Sequence, residues 1–296
     1  MNVTITGASG FIGSHLVSHF SERETNVGRY SVRYPLSADT VGPVGDVLVN
    51  CAGIAHTTYP DSVLVHQANR DLPVQTAQWA KSSGYTHYVF LSTTLVWDES
   101  LELIETERDV PEPNTEYGKA KLAAEKDIMS LTSSSFSVSV IRLPLVYGPG
   151  VKGNLVRLID AVAKWPVCPL GSKEAVRSVT GLSTIGRFIE HVIKNRNQGV
   201  FTLIDTPQLT TFDMVRYIKD ALPKSGAAIP LPYVTRFVLD RVSPAISTRL
   251  LHCRVIVDNS VRETGFDPSV ETDVVRRDFG QMARHRYEQI QRKQSS

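Results

Sequence analysis

Cysteine is scarce in this chain of 296 residues. Cys51, Cys168 and Cys253 are odd in number and far apart. They offer neither a disulfide framework nor a metal-ligand spacing, so a metal-free site and a reducing, cytoplasmic compartment are expected. Charge of one sign is also missing: the formal net charge is +2, and no basic arm interleaved with aromatics precedes the last helix. Nucleic acid is therefore not an expected partner. The late cluster Arg276, Arg277, Arg284, Arg286, Arg292 and Lys293 is interrupted by Asp278 and Glu288 and reads as a solvated helix face. Long apolar runs are absent too. The best stretch near the end, Ile229 to Val242, contains Pro230, Pro232, Arg236 and Asp240, which excludes a spanning helix. A core-type strand begins at the N-terminus, so no secretory signal is expected. No repeat or low-complexity segment occurs, and the length suffices for a main domain with a smaller lobe.

What is present is most concentrated at the start. Val3-Thr4-Ile5-Thr6 is an apolar, β-branched strand, and Gly7-Ala8-Ser9-Gly10-Phe11-Ile12-Gly13 carries it through three glycines into an amphipathic helix reaching about Arg23. The first glycine permits a tight turn, the second a close approach of backbone to a pyrophosphate, and the third close packing of helix on strand. Free N–H groups at the helix start then favour phosphate. The spacing is G-x-x-G-x-x-G, one residue wider than the usual dinucleotide fingerprint.

A second signal lies at Tyr117-Gly118-Lys119-Ala120-Lys121, in a helix continuing through Lys126. Four residues apart, Tyr117 and Lys121 share one face. A free tyrosine has a pKa of about 10, and making it a phenolate near neutrality takes about 4 kcal/mol of differential interaction. A neighbouring ammonium and a nicotinamide cation both act in that direction.

With these two motifs, the chain resembles the extended branch of the short-chain dehydrogenase/reductase superfamily, the nucleotide-sugar epimerases, dehydratases and reductases, from Val3 to about Pro268. The resemblance implies an α/β fold: a Rossmann-type doubly wound parallel sheet with a smaller C-terminal substrate-binding lobe. Residues 1–150 would form the dinucleotide-binding domain, with 181–206 returning to it, and 151–296 mainly the lobe and a C-terminal helix. It implies that Gly7, Ser9, Gly10, Phe11, Ile12 and Gly13 hold the cofactor, that Tyr117 is the acid–base group, and that Lys121 binds the nicotinamide ribose and supports Tyr117.

Further segments take roles from the same resemblance. Asn26 to Arg33 reads as the second strand. The strand Asp46 to Gly53 ends in Cys51, Ala52 and Gly53, which would line the cofactor; Cys51 reads as a small hydrophobe rather than a reactive thiol. A helix from about Val63 to Ser83 carries Asn69, expected beneath the cofactor. The strand Tyr88 to Trp97 puts Thr93 at the catalytic hydroxyl, with Ser92 just before it as a further substrate contact. Trp97-Asp98 stands where the family has Tyr-Gly. Val138 to Gly150 resembles the family's R-x-x-x-V-Y-G-P strand, making Pro144 and Leu145 cofactor contacts. Asn154 and Arg177 would meet the diphosphate of the substrate. Gly199 to Ile204 reads as a returning strand, Phe212 to Leu222 and Ile229 to His252 as amphipathic helices of the lobe, and Gly265-Phe266-Asp267-Pro268 as the family's closing turn.

Cofactor and reaction follow from departures. No carboxylate stands about 20 residues past the last fingerprint glycine; Arg29 and Arg33 are there instead, which favours NADP(H) and leaves NAD(H) open. The segment before Asp46 is short, as in 4-dehydrorhamnose reductases, whereas Gly148 to Asn154 looks like the UDP-N-acetyl-hexosamine 4-epimerases and 4-keto-reductases of surface-polysaccharide synthesis. The expected activity is reduction of a nucleotide-linked 6-deoxyhexos-4-ulose, with a nucleotide-sugar 4-epimerase as the alternative and a non-catalytic dinucleotide sensor as a remote one. A dehydratase is disfavoured, because Thr94-Leu95 replaces the Asp-Glu pair of those relatives. A homodimer is left open.

Overall fold

The computed structural model describes residues 1–23, 25–36, 45–54, 61–164, 168, 170–223, 227–243, 247–248 and 251–294. Six parallel strands form the central sheet: β1 (Asn2–Thr6), β2 (Asn26–Tyr30), β3 (Val47–Asn50), β4 (His87–Thr93), β5 (Ser137–Leu143) and β6 (Gly199–Thr202). Their spatial order is β6-β5-β4-β3-β1-β2. Every residue of β3 and β4 is buried, as expected of central parallel strands covered on both faces. On one face Val3 and Ile5 pack on Leu16, Val17 and Phe20 of helix α1 (Phe11–Ser21), together with Ile185 and Phe188 further along the chain. On the other face Leu48, Tyr88 and Phe90 meet Ala77, Ala80, Ala124 and Ile128. The sheet is doubly wound, the Rossmann-type arrangement.

The order reverses at β1: the chain goes outward to β2 and then crosses back to β3 on the other side. A crevice therefore opens at the carboxyl ends of β1 and β3, where such sheets bind ligands. Both flanking strands stop where β1 stops. Tyr30 and Asn50 each pair with Thr6, and the next residue, Gly7, turns away with φ +65°. Beyond it no ladder partner remains. The second strand thus ends at Tyr30 rather than Arg33, and the third at Asn50 rather than Gly53.

Other expected elements are divided by proline. The span 63–83 is not one helix but α2 (Ser62–His66), a π turn (Gln67–Asp71) and α3 (Leu72–Ser82). Pro73 has no N–H for the carbonyl of Asn69, so the regular i→i−4 ladder cannot continue there. The strand expected over 138–150 breaks at Pro144, and Leu145–Tyr147 pairs instead with Val179–Gly181. The strand expected to reach Trp97 stops at Thr93, whose side chain caps a 3-10 turn over Thr94–Val96.

Helix α4 (Glu116–Met129) follows, then α5 (Asn154–Lys164), α6 (Leu182–Asn195) and α7 (Thr211–Asp220). Leu155, Ile159, Val215 and Ile218 of α5 and α7 join Phe279 and Met282 of the helix Thr272–Gln294 in a C-terminal core outside the sheet. The helix expected from Ile229 to His252 starts late, after Pro230 and Pro232: a 3-10 turn spans Tyr233–Thr235 and α8 spans Arg236–Val242, with no buried residue. Residues 244–246 and 249–250 of that span lie outside the described residues. Among the described residues no helix is long and apolar enough to cross a membrane.

Candidate active site

The first turn of the chain is built by exclusion. A Cβ on Gly7 would lie 2.8 Å from the backbone of Cys51 and Ala52, and one on Gly13 would lie 2.2 Å from the carbonyl oxygen of Gly7. Gly10 sits at the N-cap of α1 without a side-chain cap. The amides of Phe11 and Ile12 therefore open the helix toward the crevice without a capping side chain, the arrangement that receives a phosphate. Ser9 is exposed at the rim. Behind the turn, Asn50 is fully engaged: its Oδ1 accepts from Thr6 Oγ1 and the Ala52 N–H, both at 2.9 Å, and its Nδ2 donates to the Tyr88 hydroxyl. That hydroxyl donates onward to the carbonyl of Pro73 at 2.9 Å.

The π turn brings Asn69 to the floor of the crevice, fully buried. Its Oδ1 accepts from the Ile54 N–H at 3.2 Å and its Nδ2 donates to the Val65 carbonyl at 3.0 Å. A Cβ on Gly53 would stand 2.9 Å from Asn69 Oδ1 and 3.6 Å from Lys121 Nζ. Gly53, Asn69 and Lys121 thus converge. The Lys121 ammonium donates to the Leu91 carbonyl at 3.0 Å and lies 4.5 Å from the centre of the Phe90 ring. Burial lowers its pKa to about 8, against the attraction of Glu125 and Cys51. Burial also pushes the Cys51 thiol up to about 12 in spite of Lys121. Cys51 is a protonated wall residue at neutral pH.

Two adjacent hydroxyls at the end of β4 point to opposite faces. Ser92 Oγ donates to Glu125 Oε1 at 2.5 Å. Glu125 in turn takes a forked bond from Arg142, with Nη2 to Oε2 at 2.7 Å, and the guanidinium lies 4.7 Å from the Trp97 ring centre. Ser92 belongs to this buried ion-pair network. Thr93 Oγ1 accepts from the Leu95 N–H at 3.2 Å, which leaves its own O–H available as a donor.

Tyr117 occupies the first turn of α4, which Thr115 caps by accepting from the Gly118 N–H at 3.1 Å. A Cβ on Gly118 would meet the Leu95 carbonyl oxygen at 2.2 Å. The helix carrying Tyr117 and Lys121 is therefore seated directly on the turn that follows Thr93. Burial pushes the Tyr117 phenol up to about 12, so it is protonated at neutral pH. The partners Glu125 and Arg142 were not singled out from the sequence. Glu125 lies four residues after Lys121, on the same helix face, and that spacing was the available signal.

The remaining residues surround this centre. Arg29 and Arg33 are exposed, on the edge strand and three residues past its end, and neither makes an ion pair among the described residues. Pro144 and Leu145 are half-buried where β5 stops. Asn154 begins α5, and its Oδ1 is buried without a hydrogen-bond partner among the described residues. Arg177 donates from Nη2 to the Thr248 carbonyl, while its Nε is buried without a partner among the described residues. Burial and the adjacent Arg254 bring the Arg177 guanidinium down to about 10. The structure thus gathers Gly7, Gly10, Gly13, Cys51, Gly53, Asn69 and Lys121 at the crevice, and Thr93 and Tyr117 at the turn beside it. Asn154 and Arg177 share no hydrogen bond or ion pair with these groups among the described residues.

Known proteins share this framework. The model of the NAD dependent epimerase/dehydratase family matches residues 3–201. UDP-glucose 4-epimerase of Vibrio cholerae is 31% identical over 261 residues, covering 78% of this chain and 79% of the relative. The crystal structure of dTDP-4-dehydrorhamnose reductase from Yersinia enterocolitica has a TM-score of 0.69 at 20% identity, covering 95% of this chain and 99% of that one. RMD from Pseudomonas aeruginosa, solved with NADPH, has a TM-score of 0.70 at 16% identity, covering 97% and 99%. The last two establish likeness of fold.

Proposed function

Because the chain belongs to the NAD dependent epimerase/dehydratase family, we propose that it is a nucleotide-sugar oxidoreductase, specifically a 4-keto-reductase that uses NADPH on a nucleotide-linked 6-deoxyhexos-4-ulose. The observation that carries this reading is the seat of α4 on the turn after Thr93. It supports the reading because the helix that carries Tyr117 and Lys121 packs directly on the turn that follows Thr93.

The donor set of the crevice fits a dinucleotide: Gly7 and Gly13 let the first strand, its neighbour and α1 pack closer than any side chain would allow, and the start of α1 carries no side-chain cap that would compete with a phosphate. Gly7 to Gly13 would hold the pyrophosphate, while Cys51, Ala52, Gly53, Asn69, Lys121, Pro144 and Leu145 would line the nicotinamide end. When bound, the cofactor supplies the hydride. Thr93 would donate a hydrogen bond to O4 of the sugar, strongest when negative charge develops there. Tyr117 would pass its proton to O4, and burial keeps that proton in place at neutral pH. Lys121 would stabilise the phenolate left behind. Asn154 and Arg177 would take the diphosphate, which supplies the partners that Asn154 Oδ1 and Arg177 Nε lack through a bound water and a phosphate oxygen respectively.

The choice of NADPH rests on Arg29 on the edge strand and Arg33 three residues past its end, exposed cations that make no ion pair among the described residues and have no carboxylate beside them in sequence. A charge-assisted contact of this kind contributes about 1.5–3 kcal/mol, or about ten- to a hundred-fold in affinity. NADPH should bind that much tighter than NADH in fluorescence titrations, and Arg33→Ala should shrink the gap. Equal affinities would move the assignment to the second reading, an NAD-dependent 4-epimerase, which the 31% identity to the Vibrio cholerae enzyme favours.

A further inference from the structure

Arg254 is a long basic side chain that ends in backbone rather than in a carboxylate. Its Nη1 donates to the carbonyls of Asp98 at 2.9 Å and Leu101 at 3.2 Å, and its Nη2 donates to those of Thr94 at 3.1 Å and Trp97 at 3.5 Å. A single guanidinium thus spans the chain from the residue after Thr93 to Leu101. Its own backbone is fixed from the C-terminal side: the Arg254 N–H donates to Val176 and its carbonyl accepts from Ser178, which sets it directly beside Arg177. On the sheet side of the same turn, α4 presses Gly118 against Leu95.

We propose that Arg254 is a positioning residue: it clamps the turn after Thr93 from the segment paired with residues 176–178 and thereby sets the hydroxyl of Thr93 against Tyr117. This rests on the catalytic reading of Thr93 and Tyr117 given above. Five N–H donors in a rigid planar fork suit several carbonyls at once, and a lysine ammonium with a flexible stem serves them only in part. The clamp also makes mechanical sense of Trp97-Asp98. Both residues present carbonyls to Arg254, so the turn is held through its backbone whatever side chains it bears. Because Arg254 and Arg177 are neighbours on paired segments, an anion held at Arg177 would steady the clamp. The substrate diphosphate would then help to align the reacting end.

The test uses the full chain in Arg254→Met and Arg254→Lys forms, each also combined with Thr93→Ala. Arg254→Met should raise amide hydrogen exchange across residues 94–101 and leave the α1 cradle unchanged. It should lower kcat about 10- to 100-fold, the cost of a misplacement of about 1 Å, with the dinucleotide Kd unchanged. Arg254→Lys should recover part of kcat, as should added guanidinium in the methionine form. In the Thr93→Ala background the same change should cost under about threefold. Equal losses in both backgrounds, or unaltered exchange over 94–101, would overturn the clamp. If Thr93→Ala itself leaves the rate intact, the catalytic reading fails, and the exchange data still decide whether Arg254 holds the turn. Should Arg254→Met not fold, Arg254→Lys carries the same exchange and rate comparison.

Discussion

The glycine cradle and the C-terminal core treat their buried polar groups in opposite ways. Around the cradle, Asn50 and Asn69 use both ends of their amides on neighbouring backbone and hydroxyls. In the C-terminal core, Asn154 Oδ1 and Arg177 Nε are buried with no partner among the described residues. An unsatisfied buried polar group costs about 1–3 kcal/mol, so the first arrangement stabilises the free protein and the second burdens it. The contrast separates two kinds of site. One is preformed, with its shape fixed by backbone contacts that glycine alone permits. The other holds groups whose missing hydrogen bonds, in the function proposed above, the substrate diphosphate would complete.

The largest expected effect removes the chemistry and spares both sites. Tyr117→Phe should lower kcat by about 10²–10⁴-fold, with dinucleotide and substrate affinities within about threefold of the parent. Retention of more than about a tenth of the activity would show that another group moves the proton. A smaller change sharpens the comparison itself. Arg177→Met should raise the KM for the nucleotide sugar about ten- to a hundred-fold while leaving the dinucleotide Kd alone, and thermal unfolding should stay nearly level, because removing the unsatisfied Nε offsets the loss of the bond from Nη2 to the Thr248 carbonyl. Asn69→Leu should do the reverse, lowering the Tm because the Ile54 N–H and the Val65 carbonyl lose their partner. Both variants destabilised alike would erase the distinction between the two regions.

The smallest effect is a pH dependence at the cradle. Lys121 titrates at about 8 in the free protein, lowered by burial. Below that pH the ammonium is present and can hold a ribose hydroxyl; above it the charge is lost. Dinucleotide affinity should therefore fall as pH rises through about 8, by at most about tenfold per pH unit. Titrations from neutral to alkaline pH should show that fall in the parent and a flat profile in Lys121→Met.

The cradle was legible in the sequence because its constraint is local. Gly7, with φ +65°, and Gly13, whose Cβ would meet the Gly7 carbonyl, have to be glycine for reasons contained within one turn, and Tyr117 and Lys121 reveal their shared face by spacing alone. The division of labour between Ser92 and Thr93 was only partly legible. Strand alternation separates the two hydroxyls, but Glu125 and Arg142, distant in sequence, decide which of them is engaged. The π turn at Asn69 depends on one missing N–H at Pro73, a local cause whose outcome needs the packing of α2 and α3 to be seen. The ends of β2 and β3 follow from Gly7 removing their common ladder partner, which no pattern within either strand records. Arg254 was invisible for a plainer reason. It bonds to carbonyls, which every residue has, so no side-chain motif marks its target.

The account turns on reduction at C4, and the most direct measurement is a single-turnover reaction of the purified protein with NADPH and a nucleotide-linked 6-deoxyhexos-4-ulose. Nicotinamide absorbance and product mass would be followed together. A 4-keto-reductase should lose NADPH in step with a product that has gained two hydrogens, and both signals should be lost in Tyr117→Phe. Unchanged NADPH, with UDP-glucose converted to its C4 epimer at no net cofactor consumption, would contradict it and identify the chain as an epimerase.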